Sequence, residues 1–245
     1  MTKQGGMGDN FYIGGVDVSG DIQSLSRIGG GPALIDSTGI DKGGHERLGG
    51  LIDGALTFTT FFNDTGVHTV TSLLPRTDAI MSYWRGTALG GPAASMVAKQ
   101  PGYDGTRAND GAFTFAVGAV SNGFGIQWGN GLTSGKRTDT TATNGASVDF
   151  LASSAFGLTA YLHVFAFTGT SVTVKIQESS DNGAGDAFVD VVGGTFTAAT
   201  GVTSERISTA SGLTVERYLR VVTTGTFSNA IFAVNVIKHA TLVQL

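Results

Sequence analysis

Histidine is the side chain best suited to proton transfer or metal ligation near neutral pH, and the chain carries four: His45, His68, His163 and His239. None stands in an H-x-x-x-H or H-x-H spacing. His163 alternates with Tyr161 and Phe165 along an apolar run, so a hydrogen-bonded structural histidine is the better reading of each. There is no cysteine, which excludes thiolate metal sites and disulfides. In "SSDNGAGDAFVD", Asp181, Asp186 and Asp190 offer oxygen ligands of the kind calcium takes. As the tip of a hairpin the same segment needs no ion. "RIGGGPALID" lacks the lysine–hydroxyl ending of a phosphate-binding loop, no G-x-G-x-x-G opens a helix, and no G-x-S-x-G nucleophile elbow occurs. Most acids flank Gly, Ser or Asn, where bonding to turn backbone accounts for them. Trp128 and Tyr103 would suit sugar stacking if exposed, or core anchoring if buried. The residues predict no catalytic centre and no cofactor.

The elements that would carry these residues are strands. Glycine makes up 38 of 245 residues, charged residues only 14%, and the aromatics are dominated by 15 Phe. Such a chain predicts many short strands joined by glycine turns rather than long amphipathic helices. A hydrophobic content of 41% is enough for a core. The net charge is −4 and the basic residues are scattered, with Lys136-Arg137 the only adjacent pair, which argues against stable binding of a phosphate backbone. The N-terminal "MTKQGGMGDNFYIGG" has no apolar signal core and no stretch approaches ~20 apolar residues. The expectation is a protein made in a reducing cytoplasm, with no membrane span, that stays soluble unless it assembles.

Along the chain, residues 1–10 read as a flexible glycine-rich arm. Residues 11–28 read as strand–turn–strand, 29–54 as a turn-rich connector or extended loop, and 66–74 as a strand. "LPRTDAIMSYWRGT" predicts a short helix, with Pro75 in its first turn, Ile80, Tyr83 and Trp84 on one stripe, and Gly86 as its stop. Residues 111–129 read as a strand pair turning at Ser121-Asn122-Gly123. Residues 130–147 lose apolar periodicity, which places a linker or loop at 136–147 between a β domain at 11–135 and a β-sandwich-like block at 148–245. In that block Gly169-Thr170 predicts a hairpin, followed by strands within 188–198, 215–225 and 229–239.

One strand is unusual. "ALTFTTFF" (55–62) alternates at period two with apolar bulk on both faces: Leu56, Phe58 and Phe62 on one, Ala55 and Phe61 on the other with Thr57 and Thr59. A strand covering one side of an ordinary core shows water a cleaner polar face.

The succession "VDVSGDIQSL … ERLGGLIDGALTFTTFFN … LPRTDAIMSYWRGT … YDGTRANDGAFTFAVGAVSNG … QWGNGLTSG" resembles the tail tube (major tail) proteins of long-tailed, siphovirus-like bacteriophages, over roughly residues 9–135. The C-terminal block resembles β-rich modules attached to phage structural proteins. The resemblance implies a mainly β, tail-tube-type sandwich or barrel with one short helix, followed by a second sandwich-like block. It also implies a non-enzymatic virion subunit, assembled in the bacterial host, that forms hexameric rings stacked into a conduit for DNA ejection. Its partners would be copies of itself, other tail proteins and DNA in transit without stable binding. Leu56, Phe58, Phe61 and Phe62 would then be subunit-interface residues, and the terminal arms and the 29–50 loop would link rings. Two alternatives stand beside this reading: a capsid decoration protein and a carbohydrate-binding β-sandwich module.

Overall fold

The computed structural model describes residues 5–74 and 78–242. The chain is mainly β. Its elements, among the described residues, are β1 (Asn10–Ile13), β2 (Val16–Asp17), β3 (Ile22–Asp36), β4 (Arg47–Phe61), α1 (Val67–Thr71), β5 (Ala79–Trp84), β6 (Pro92–Arg107), β7 (Phe113–Ser121), β8 (Gln127–Gly131), β9 (Arg137–Asp139), β10 (Asn144–Asp149), β11 (Leu158–Ser179), β12 (Val189–Thr195), β13 (Thr203–Ser208) and β14 (Tyr218–Lys238). No helix among them is long and apolar enough to cross a membrane.

In the N-terminal half two sheets share the long strand β6. Its first half pairs with β5, which pairs with β1. Beyond a register shift between Lys99 and Gly102, its second half pairs with β7, which pairs with β4 and through it β3. The core between them holds Phe11, Leu56, Phe58, Met81, Met96 and Val117. Helix α1 plugs one end with Val67 and Val70. It borrows its N-terminal acceptor from far along the chain, where Asp21 Oδ2 accepts the Val67 N–H at 3.0 Å.

The C-terminal half is organised by β11 and β14, which pair antiparallel over nearly their whole length and carry β12, β13, β9 and β10 along their edges. Leu158, Leu162, Val174, Ile176, Phe196 and Phe232 fill its core. The halves join as one hydrogen-bonded sheet, since β14 pairs with β8 and β8 with β6. They also meet across a mixed seam. Tyr12, Trp84, Ala93 and Ala233 pack with Phe165. Beside them Ser82 Oγ lies 2.7 Å from Ser95 Oγ, which accepts from Asn235 Nδ2 at 2.9 Å. Gly15 explains why the chain can approach here: its φ is +85°, and a Cβ would come within 2.7 Å of the Val164 carbonyl oxygen.

Several sequence expectations are corrected by these pairings. The segment expected to be helical is strand β5, with Pro75 and Thr77 outside the described residues. Every residue from Ala79 to Trp84 is buried, because β5 is covered on both faces, and such a run has no polar face to reveal its period. The expected strand at 66–74 is instead the helix α1, whose buried Val67 and Val70 are three residues apart. The expected loop at 29–54 forms most of a long hairpin, β3 against β4. Strands β7 and β8 do not pair with each other; both pair with β6.

The expected linker supplies β9 and much of β10, both laid on β14. Arg137 grips the buried Asp139 through two bonds of 2.8 and 2.7 Å, and Thr223 of β14 donates to the same carboxylate at 2.7 Å. The hairpin expected at Gly169 is absent, because β11 runs straight through it. Gly169 marks an irregularity where a Cβ would sit 2.4 Å from Phe227 Cα. The last two expected strands likewise merge into β14.

Candidate assembly surfaces

Period-two alternation sends Leu56, Phe58 and Thr60 of β4 inward, and all three are buried by the chain itself. Phe58 is 1% exposed and packs on Phe11 with ring centroids 4.9 Å apart. Leu56 and Phe58 are therefore core residues, which corrects their assignment to a subunit contact. The opposite face behaves differently. Phe61 is 44% exposed, Thr57 and Thr59 are half-buried, and Ala116 and Val120 on the neighbouring β7 are exposed. Ala55, on the same face, is buried, so the outer face of β4–β7 is small, largely uncharged and open toward its Phe61 end.

Phe62 follows on the inward-facing side but beyond the end of the core, and it is 42% exposed. Phe113 and Phe115 of β7 lie beside it, with ring centroids 5.3 and 5.9 Å from that of Phe62. Tyr103 stacks flat on Phe115 at 4.1 Å, and its hydroxyl lies 3.0 Å from His68 Nδ1 on α1. Burial raises the pKa of the Tyr103 hydroxyl. The four rings and the imidazole make an aromatic cap where the core face of the sheet runs past the core. The bulk of Phe62 was legible as part of the two-faced strand; Phe113 and Phe115 joined it only through the β4–β7 register.

At the other end of the same sheet, β3 and β4 run on together as a two-stranded arm. Leu34, Ile35, Leu48 and Ile52 are exposed there, and Leu51 is 88% exposed. The arm ends in a loop tied by polar bonds: Thr38 N–H donates to Asp36 Oδ1 at 2.9 Å, and His45 Nδ1 lies 3.1 Å from Asp36 Oδ2. Among the described residues strand β3 pairs only with β4, which leaves its outer edge open along the arm. Pro32, which has no N–H to give, stands on this edge strand.

The chemistry-bearing residues of the sequence are dispersed. His163 is fully buried, His239 lies 2.9 Å from Thr159 Oγ1, and His45 and His68 have the partners given above. Asp181 accepts backbone N–H groups of Ala184, Gly185 and Asp186, Asp186 accepts from Ser180, and Asp190 pairs with Lys175 at 2.9 Å. These bonds order a hairpin tip between β11 and β12. No group of three or more His, Asp or Glu placed to hold a metal exists among the described residues. Trp128 is 49% exposed and meets the edge of Tyr83 at 6.2 Å; Tyr103 belongs to the cap.

No family model and no curated protein matches the chain. Among solved structures the chain shows a likeness to the Dit protein of phage SPP1, described as a paradigm of the hub adsorption apparatus in phages infecting Gram-positive hosts: 11% identity and a TM-score of 0.36, over 94% of this chain and 99% of that one. It is also similar to chains of the phage p2 baseplate in its activated conformation. With strontium the values are 11% identity and a TM-score of 0.33, over 96% of this chain and 99% of that one. With calcium they are 11% and 0.33, over 97% and 100%.

Proposed function

We propose that this chain is a structural subunit of a long-tailed bacteriophage tail, and that copies of it associate into stacked rings around a conduit for DNA. The observation that carries the reading is the exposed apolar sheet surface: the outer face of β4–β7 around Phe61, together with a two-stranded arm whose aliphatic side chains are left exposed by the described residues. An open two-stranded ribbon is at best marginally stable in water, and exposed apolar sheet invites pairing with another chain. Covering ~100 Å² around Phe61 would contribute about 2.5 kcal/mol at roughly 25 cal/mol per Å², before ordering costs. Repeated around a ring and added to burial of the arm, that favours association without disulfides or metal.

The sequence resemblance over residues 9–135 supplies the ring and the tail. The charge balance suits a conduit, because a net charge of −4 with scattered basic residues does not trap a phosphate backbone. Electron microscopy of the purified protein across a concentration series tests the proposal. Rings or tubes are the expected result, and a monomer at every concentration would sink it.

A second reading rests on Trp128, whose half-exposed indole is braced edge-on by Tyr83 and offers a face for a sugar ring. Binding on a glycan array, lost in Trp128→Ala, is the result that reading requires.

A further inference from the structure

We propose that Asn122 is a site of spontaneous covalent modification, where the folded chain converts an asparagine to aspartate and isoaspartate through a succinimide. The chemistry needs an asparagine whose Cγ the next backbone nitrogen can reach. A glycine in the following position leaves that nitrogen unhindered, so Asn-Gly steps are labile. The Gly123 nitrogen gives its proton to solvent base and bonds to Asn122 Cγ. The Cγ–Nδ2 bond breaks, and Nδ2 takes up a proton and leaves as ammonia. Water then opens the ring at one carbonyl or the other, so one water is consumed for each ammonia released.

The sequence holds four such steps, at Asn122, Asn130, Asn144 and Asn182, and the fold restrains three of them. The Gly131 N–H donates to the Gly91 carbonyl at 2.9 Å, and Asn130 Nδ2 donates to the Gly90 carbonyl at 2.8 Å. Gly145 lies in β10, where a Cβ would come within 2.7 Å of the Val221 carbonyl oxygen and 2.1 Å of the Arg137 guanidinium, which leaves its backbone no room to turn into a ring. The Gly183 N–H donates to Ser179 Oγ at 2.8 Å, while Asn182 Oδ1 accepts from Ser147 Oγ.

Asn122 is different. It stands exposed, one residue past the end of β7, and the Gly123 N–H has no acceptor among the described residues. Gly123 has a φ of +89°, and a Cβ on it would meet nothing within 4 Å. The side chain is held by one hydrogen bond, from Asn122 Nδ2 to Asp78 Oδ2 at 2.7 Å, and an exposed bond of this kind opens readily in water. Modification reverses the contact. A carboxylate then faces Asp78 where an amide donated, and Lys99, 2.7 Å from Asp78 Oδ1, is left to offset the repulsion. The isoaspartate product also lengthens the main chain between β7 and β8, both of which pair with β6.

Folded and urea-unfolded protein, aged in mildly alkaline buffer and mapped by peptide mass spectrometry, compares the four steps. In the folded chain Asn122 should deamidate at least tenfold faster than each of the other three, with isoaspartate among its products. In urea the four should run within a few fold of one another. Asn122→Gln, whose longer side chain closes a ring slowly, should remove most of the acidic species that isoelectric focusing resolves in aged wild-type protein. An Asn122 as stable as the other three in the folded chain, or another step in the lead, overturns the proposal. The same lead in urea also overturns it, because the local sequence rather than the fold would then set the rate.

Discussion

The Nε2 of His163 on β11 lies 2.8 Å from Ser82 Oγ on β5, one of the buried side-chain bonds that tie the C-terminal half of the molecule to the N-terminal sheets. The Gly15 N–H donates to the other ring nitrogen at 3.3 Å, so the imidazole is neutral, with its proton on Nε2 pointing at Ser82. Burial without a balancing carboxylate lowers its pKa from 6.5 to about 3.

Stability should consequently depend on pH through this residue. The unfolded imidazole takes up its proton near pH 6.5 and the folded one only near 3, so the unfolded chain binds more protons between those values. Stability is full above 6.5 and falls as pH drops toward 3, by about 1.4 kcal/mol for each pH unit inside the window. Urea unfolding at pH 7, 5.5 and 4.5 measures the slope. His163→Gln, which titrates nowhere in this range, should reduce the slope, leaving the contribution of His239, whose pKa burial also lowers; an unchanged slope would assign the pH dependence elsewhere.

Phe58 and Phe61 should separate folding from assembly. Phe58→Ala removes a core ring and should cost about 3–5 kcal/mol of stability. Phe61→Asp places a charge on a face the monomer leaves open, so thermal unfolding of the monomer should shift little while ring formation stops. A misfolded Phe61→Asp monomer would show that the outer face is needed within the chain.

The Arg137–Asp139 pair should be essential to the C-terminal half. Arg137→Met leaves the buried Asp139 carboxylate without its guanidinium and should cost about 3–5 kcal/mol, measured by denaturant unfolding. The double variant Arg137→Met with Asp139→Leu should recover much of the loss, because no charge is then stranded.

The Asp181 loop should be indifferent to calcium. Its carboxylates already accept backbone N–H groups, so calcium and chelator should leave the melting temperature within error of each other, whereas Asp181→Ala should loosen residues 180–188 in hydrogen exchange. A calcium-dependent rise in melting temperature that Asp181→Ala abolishes would restore the ion.

How far the sequence reached differs by element. Residues 11–28 were legible as strand–turn–strand because glycines and a serine–glycine step punctuate short runs whose faces differ. The two apolar faces of residues 55–62 were legible for the same reason, since alternation is local. Even so, only the β4–β7 register and the covering core separated Phe58, inside, from Phe61, outside.

By itself the amino-acid order determined a mainly β chain, without cysteine chemistry, carrying more apolar sheet than polar cover. It could not determine which runs were strands where both faces are covered: β5 has no polar face to mark its period, and helix and strand then look alike. Nor could it show that a polar stretch such as 136–147 is ordered, because the order comes from partners far along the chain: β14 lends its edge, and Thr223 meets Asp139 across 84 residues. Tertiary structure decided those points because backbone hydrogen bonds between strands leave almost no trace in side-chain pattern, while burial on one face leaves a plain one.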